Sequence, residues 1–277
     1  MMRWLHLSKA RWYSFSTKKI SNPKDPKQLL DSSCPGKSIF DLDINIPDSG
    51  FLSRAQGSEV PVVDQEKQTP LNKRFNCPSC QKKVKFYCYN CRLIVGPAAG
   101  LIPKVELPLP LDIIKHIKEN DSQSTGIHAK LIAPNSTNII NYPLSENYYS
   151  EPEKCLFLFP SSDAVSIKEA MDTDGYDHFQ RVVVIEGTWY QARQMVRDTP
   201  SLKAMKAITF SQAYQTVFWR FQKFDSTHLA TIEAIYFFYR ELEECLPPRH
   251  KSSELGALLF YYRHLHRLIQ EIDRKAS

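Results

Sequence analysis

Two cysteine pairs stand close together in the chain, Cys77-Pro78-Ser79-Cys80 and Cys88-Tyr89-Asn90-Cys91. A tight turn within each pair lets both sulfurs reach one ion, and four thiolates with no open position describe a structural zinc site rather than a catalytic one. A redox Cys-x-x-Cys or an unliganded turn accounts for only one pair at a time. Residues 81–87 between the pairs, with Val84, Phe86 and Tyr87, suit a short β-hairpin. Lys82, Lys83, Lys85 and Arg92 surround the site, where they can meet phosphate or simply form a solvated face. Cys34, Cys155 and Cys245 are left over and read as buried thiols. An odd count of seven cysteines, four of them paired in this way, points to a reducing compartment and metal-bound thiolates.

A second constellation lies where Arg181-Val182-Val183-Val184-Ile185 stops at Glu186-Gly187-Thr188-Trp189. The β-branched run reads as a buried central strand, and open α/β sheets place ligands at polar turns on the C-terminal edge of such strands. Gly187 permits close backbone approach, Thr188 is suited to cap a following helix, and that helix N-terminus favours a carboxylate. Trp189 offers a flat face to an adenine or a cation. A plain helix cap with Trp189 in the core explains the same residues equally simply. Leu158-Phe159-Pro160-Ser161-Ser162-Asp163-Ala164 ends another strand in a second polar turn, and Phe218-Trp219-Arg220 precedes a Ser/Thr-rich stretch running from Ser226 to Ala234.

The elements that must position these residues alternate between strand and helix beyond Cys91, which is the signature of a mostly parallel sheet with crossover helices. Strands are predicted at 104–115, 138–142, 154–159, 181–185 and 204–210, and helices at 124–133, 165–171 and 189–197. A long amphipathic helix at 226–244 carries Leu229, Ile232, Ile235, Tyr236, Tyr239 and Leu242 at helical spacing, with Ser226 as its N-cap and Pro247-Pro248 beyond its end. A second amphipathic helix is predicted at 253–274.

A chain of 277 residues, 42% hydrophobic and 24% charged, supports one ordinary domain with an N-terminal extension. No apolar run is long enough to cross a bilayer. The net charge of +6 favours a polyanionic partner only modestly. Residues 1–24 contain no acid but six Lys and Arg interleaved with Trp4, Leu5, Leu7, Trp12 and Phe15. That composition suits a mitochondrial transit peptide, with Arg11-Trp12-Tyr13-Ser14 similar to a matrix-protease cleavage site; a basic tail on a nuclear or cytoplasmic protein fits it equally. The expected organisation is therefore this tail, a linker over 25–72, a zinc-binding hairpin over 73–100 and a catalytic domain over 101–277.

From about residue 74 onward the sequence resembles the DTW-domain family, the tRNA-uridine aminocarboxypropyltransferases. The resemblance rests on the cysteine pairs, Leu111-Asp112-Ile113-Ile114-Lys115-His116, Ser124-Thr125-Gly126-Ile127-His128-Ala129-Lys130, the Pro160 turn, the Glu186 to Trp189 turn, Arg220 and Thr231-Ile232-Glu233-Ala234, all in order. One position departs: the family takes its name from an Asp where this chain has Glu186.

The resemblance implies an α/β fold similar to the SPOUT methyltransferases, with a C-terminal knot. It also implies transfer of the 3-amino-3-carboxypropyl group of S-adenosylmethionine to N3 of a tRNA uridine, with a D-loop uridine as the expected target. In that setting Glu186 is the candidate for positioning N3 or accepting its proton, Glu233 is the rival base, and Arg220 is suited to a donor carboxylate or an RNA phosphate. Ser161, Ser162, Gly187, Thr188, Trp189 and Thr231 are the expected donor-binding residues, with Thr125 and Gly126 beside them, while capping or turn formation accounts at least as well for Thr125, Gly126, Ser161, Ser162 and Thr231. Residues 188–224 carry Arg193, Arg197, Lys203, Lys206, Arg220 and Lys223 against the single acid Asp198, a balance suited to a tRNA backbone. His116 and His128 read as structural hydrogen-bonders. Methyl transfer by a SPOUT-like fold, and a zinc-containing RNA-binding protein without catalysis, are the competing functions.

Overall fold

The structure, a computed structural model, describes residues 37–39, 73–96, 99–100, 102–218, 228–251 and 254–276. The basic tail over 1–24, most of the 25–72 linker, Cys34, Arg220, Lys223 and the Ser226 cap lie outside the described residues.

The first described strand, β1 (Lys37–Ser38), falls within the segment expected as linker, and Ile39 beside it is fully buried. Two small antiparallel ladders follow, β2 (Phe75–Asn76) with β3 (Lys83–Val84) and β4 (Tyr87–Cys88) with β5 (Leu93–Ile94). The hairpin expected between the cysteine pairs is absent: Cys77 and Cys80 lie in the turn of the first ladder, Cys88 ends β4 with Cys91 in the turn of the second, and residues 85–86 link the two.

The main domain then runs β6 (Leu111–His116), α1 (Ile127–Ile132), β7 (Thr137–Tyr142), β8 (Cys155–Leu158), β9 (Val165–Ser166), α2 (Ile167–Asp174), β10 (Arg181–Glu186), α3 (Trp189–Asp198), α4 (Pro200–Ala204), β11 (Lys206–Thr209), β12 (Tyr214–Gln215), α5 (Thr231–Cys245) and α6 (Phe260–Ala276). Six strands form one sheet in the order β7-β6-β10-β8-β11-β9, every pair parallel. The expected α/β architecture with a mostly parallel sheet is borne out. Because the strands are parallel, the polar turns that end β6, β8 and β10 emerge at one edge. Val182 to Ile185 are fully buried at the centre, as a sheet covered on both faces requires of a β-branched run.

Three boundaries differ from expectation for identifiable reasons. The strand expected from residue 104 begins at Leu111, because Pro103, Pro108 and Pro110 lack the N–H that a ladder needs. Val105, Leu107 and Leu109 still alternate inward, and two of their amides find partners outside the sheet: Val105 N donates to Ile132 O at 3.0 Å and Leu107 N to Ser136 Oγ at 3.1 Å. The helix expected from residue 124 starts at Ile127, leaving Ser124-Thr125-Gly126 as a turn. The 226–244 helix begins at Thr231 and is buried beyond the one expected stripe: Ile232, Ala234, Ile235, Tyr236, Phe237, Phe238 and Tyr239 are all essentially buried, while Arg240 and Glu244 reach the surface. A helix with so little exposed surface belongs in a core, and α5 packs against both α2 and the 3-10 turn Leu255–Leu259. That 3-10 turn replaces the start of the expected C-terminal helix, and α6 follows it.

At the opposite edge of the sheet, the buried Asp112 accepts from Asn138 Nδ2 at 2.9 Å and Tyr149 OH at 3.1 Å and pairs with Arg181 at 2.8 Å. This network stitches β6, β7 and β10 where they begin, so the ends that carry the polar turns are held in fixed register.

Candidate active site

Glu186 ends β10 opposite Lys115 of β6 and is fully buried. A carboxylate out of water needs donors, and it finds them in the turn before α1: Ser124 Oγ donates to Oε2 at 2.5 Å and Gly126 N to Oε1 at 3.0 Å. Burial pushes the Glu186 carboxyl above its ordinary range while these two hydrogen bonds pull it back. Lys115 is not its partner; that ammonium donates to Glu119 O at 2.8 Å and pairs with Asp121 at 3.0 Å. Gly126 gives the carboxylate room for this arrangement, since a Cβ there would stand 2.8 Å from Glu186 Oε2 and push it aside. Gly187 is similarly crowded, its Cβ position lying 3.0 Å from Gln191 Oε1 and 3.3 Å from His116 Cβ.

Thr188 is the expected cap. Its hydroxyl accepts from Gln191 N at 3.3 Å while Gln191 Oε1 accepts from Thr188 N at 2.7 Å, a reciprocal capping box on α3. Trp189 turns inward and stacks on Phe159 at 5.5 Å, and Phe159 stacks on Phe157 at 5.2 Å. This aromatic series joins the signature turn to the Pro160 turn, where Ser162 is exposed and Ser161 Oγ is buried without a partner.

The third wall is the N-terminus of α5. Thr125 Oγ1 accepts from Ile232 N at 3.3 Å, so the turn that holds Glu186 also touches α5. Thr231 is fully buried and its Oγ1 has no partner. Glu233 accepts from Thr216 Oγ1 at 2.6 Å, Val217 N at 2.9 Å and Ala230 N at 2.7 Å, and burial again raises its carboxyl pKa. Its oxygens therefore grip the 216–218 segment and the start of its own helix. The Ser124 to Gly126 turn thus joins Glu186 at the end of β10 to the N-terminus of α5 beside Thr231, the Phe159–Trp189 stack joins the signature turn to the strand end before Ser161, and Glu233 holds Thr216 and Val217.

Neither histidine behaves as a free base. His116 Nδ1 accepts from Lys118 N at 3.1 Å, which leaves the proton of the neutral ring on Nε2, and burial followed by the nearby Lys118 charge lowers its pKa. The ring stacks on Tyr142 at 5.8 Å. His128 is pushed down to about 3 by burial and meets Tyr87 OH at 2.8 Å. Sequence spacing missed Ser124 as the main partner of Glu186, because the two stand far apart in the chain; only the Ser-Thr-Gly turn signal was visible.

Tyr87 also ties the cysteine ladders to this domain, packing edge-on against Tyr261 at 4.9 Å. Within those ladders the thiol sulfurs of Cys77, Cys80, Cys88 and Cys91 lie within 4.8 Å of one another. Sulfurs arranged tetrahedrally around zinc at its usual bond length stand about 3.8 Å apart, close to the 3.5 Å between Cys80 and Cys88. Both turns repeat one geometry: Gln81 N donates to Cys77 O at 2.9 Å and Arg92 N to Cys88 O at 2.8 Å, each donor residue at positive φ, 60° and 55°. The cluster can hold a metal ion.

The DTW-domain family model matches residues 85–270. The mouse tRNA-uridine aminocarboxypropyltransferase 1 is 32% identical over 237 residues, 71% of this chain and 77% of its own. The Xenopus tropicalis protein of the same name is 30% identical over 74% of this chain and 82% of its own, and the human one 30% identical over 71% and 77%. No solved structure matches the chain.

The crowding at Gly126 gives a direct test. Gly126→Ala keeps an allowed helical backbone, φ −60°, but forces the Glu186 carboxylate away, and we expect a loss of about 1–3 kcal/mol in urea unfolding. An unchanged unfolding midpoint would show that the contact between turn and carboxylate contributes nothing.

Proposed function

Because the chain belongs to the DTW-domain family, we propose that it is a tRNA-uridine aminocarboxypropyltransferase, moving the 3-amino-3-carboxypropyl group of S-adenosylmethionine to N3 of a uridine in the tRNA D-loop. The observation that carries this reading is the convergence of three polar turns, around Gly126, Pro160 and Gly187, at the C-terminal edge of a parallel sheet. Strands β10 and β11 insert between strands laid down earlier, an order that supports the SPOUT-like knot as part of the same reading.

A sulfonium donor supplies an electrophilic carbon and a neutral thioether leaving group. N3 attacks the Cγ of the amino acid chain, the C–S bond breaks with its electron pair leaving on sulfur, and the N3 proton passes to solvent water. Every carbon on the sulfonium is activated, so what this chain contributes is orientation. Ser161 and Thr231 offer buried hydroxyls without partners for the donor's polar groups, and Gly187, Ser162 and the Thr188 cap line the approach. Trp189, backed by Phe159, supplies an aromatic wall. Arg220 is assigned to the donor carboxylate or an RNA phosphate. Glu186 is a positioning residue in this reading: both oxygens already accept hydrogen bonds, so its task is to hold the Ser124 to Gly126 turn rather than to take the proton. Glu233 fixes the 216–218 segment in the same manner.

Four thiolates without an open position suit zinc in a structural role, in which Cys77, Cys80, Cys88 and Cys91 hold both ladders and Tyr87 carries their order to His128.

Product analysis separates the possible reactions. Incubation with tRNA and S-adenosylmethionine should release methylthioadenosine and yield aminocarboxypropyl-uridine; S-adenosylhomocysteine would assign methyl transfer instead, and RNA binding without a modified nucleoside would assign a non-catalytic role. Within the active protein, Glu186→Gln keeps an oxygen for Gly126 N and should retain most activity, whereas Glu186→Ala should lose about a hundredfold through displacement of the turn. A Gln variant as inactive as the Ala variant would make Glu186 the proton acceptor. Elemental analysis should find one zinc per chain, and chelation or Cys88→Ser should lower the unfolding temperature; an unchanged temperature with no bound metal would remove the zinc site.

A further inference from the structure

Helix α3 leaves the signature turn with its two aromatic residues facing opposite ways. Trp189 is packed inward on Phe159, while Tyr190 is 79% exposed, an unusual setting for a ring of that size. Arg193 and Arg197 follow at helical spacing on the same outer face, both exposed. Arg197 lies within electrostatic reach of Tyr190 and of Tyr142, which ends β7 and stacks on His116. Between these strand ends Ile117 is 70% exposed and Lys118 is exposed. Asp198 is the acid beside this stripe, pairing with Arg197 at 2.8 Å and feeling Lys203 as well. The result is a cationic face with aromatic and apolar groups at the lip of the candidate site.

We propose that the Tyr190, Arg193 and Arg197 face of α3 is a docking surface for an unpaired RNA loop, with Tyr190 stacking on a base next to the target nucleotide and the arginines meeting the phosphates. This rests on the transferase reading. N3 lies on the Watson–Crick edge of uracil, so the target must be unpaired and its neighbours are free to splay. An exposed ring beside guanidinium groups is what such bases and their backbone require. Duplex RNA would offer phosphates to the arginines but no open base face to Tyr190.

The test is direct binding of a labelled stem-loop RNA with an unpaired uridine, read by anisotropy and independent of turnover. Tyr190→Ala should weaken binding about tenfold, as loss of one base stack does, while Tyr190→Phe should bind as the unchanged protein does. Arg193→Ala with Arg197→Ala should reduce the slope of log affinity against log salt by roughly 0.7 per arginine. In turnover, Tyr190→Ala should raise KM for RNA and leave kcat and donor affinity unchanged. Unaltered affinity, slope and KM in these variants, beside an active unchanged protein, would overturn the surface. So would a Tyr190→Ala variant that turns a dimer into a monomer without changing RNA affinity, which would assign the face to a second copy. An unchanged protein that binds RNA through Tyr190 yet makes no modified nucleoside would instead defeat the transferase reading and leave the surface standing.

Discussion

A buried carboxylate must collect donors, and in this chain the donors are the backbone amides of loops. Glu186 takes Gly126 N, Glu233 takes Val217 N and Ala230 N, and Glu241 takes Ser211 N at 3.0 Å together with Tyr214 OH at 3.0 Å. Leaving such a group unpaired costs several times what an ordinary hydrogen bond contributes, so each carboxylate dictates where its loop lies. Glu233 and Glu241 stand two turns apart on α5 and together clamp the chain on either side of β12. Burial raises the pKa of all three, the expected consequence of holding carboxyl groups out of water for structural ends.

This explains how a site assembled from distant segments keeps its shape. The sheet brings the turns to one edge but does not fix their conformation, because loops beyond a ladder have no ladder bonds of their own. The Glu186 clamp fixes the Gly126 turn, the Phe157, Phe159 and Trp189 series fixes the Pro160 turn, and Thr125 links the first of these to α5. The cysteine ladders add support from outside through the contact between Tyr87 and His128, one residue into α1 beyond the turn. The buried hydroxyls of Ser161 and Thr231 have no partner, as is also true of His128 Nδ1, Thr137 Oγ1, Ser201 Oγ and Tyr261 OH; what sets the first two apart is their place at the Pro160 turn and the N-terminus of α5.

Features that depend on local pattern were legible in the sequence. The run Val182 to Ile185 announced a central strand, Thr188 announced a cap, and the four cysteines announced a cluster. Features that depend on which segments meet were not. The inward alternation of Val105, Leu107 and Leu109 looks like a strand until the prolines remove its donors. The apolar residues of α5 suggested one buried face because helical spacing marks the strongest stripe, and only packing against α2 and residues 255–259 shows that burial extends beyond it. Ser124 carries no sign that its partner is Glu186.

The departure from the family Asp at Glu186 takes on a physical sense in this geometry. An aspartate on the same backbone would end one methylene, about 1.5 Å, short of the position where Glu186 meets Gly126 N at 3.0 Å and Ser124 Oγ at 2.5 Å. The longer side chain reaches across to the neighbouring turn, and it can do so only because residue 126 has no Cβ and residue 124 offers a hydroxyl. Glu186, Ser124 and Gly126 are therefore one unit, and a change at any of them is felt at the other two. A carboxylate that holds a hydroxyl on one oxygen and a backbone amide on the other is fixed in orientation, so the turn before α1 and the end of β10 keep one arrangement relative to each other.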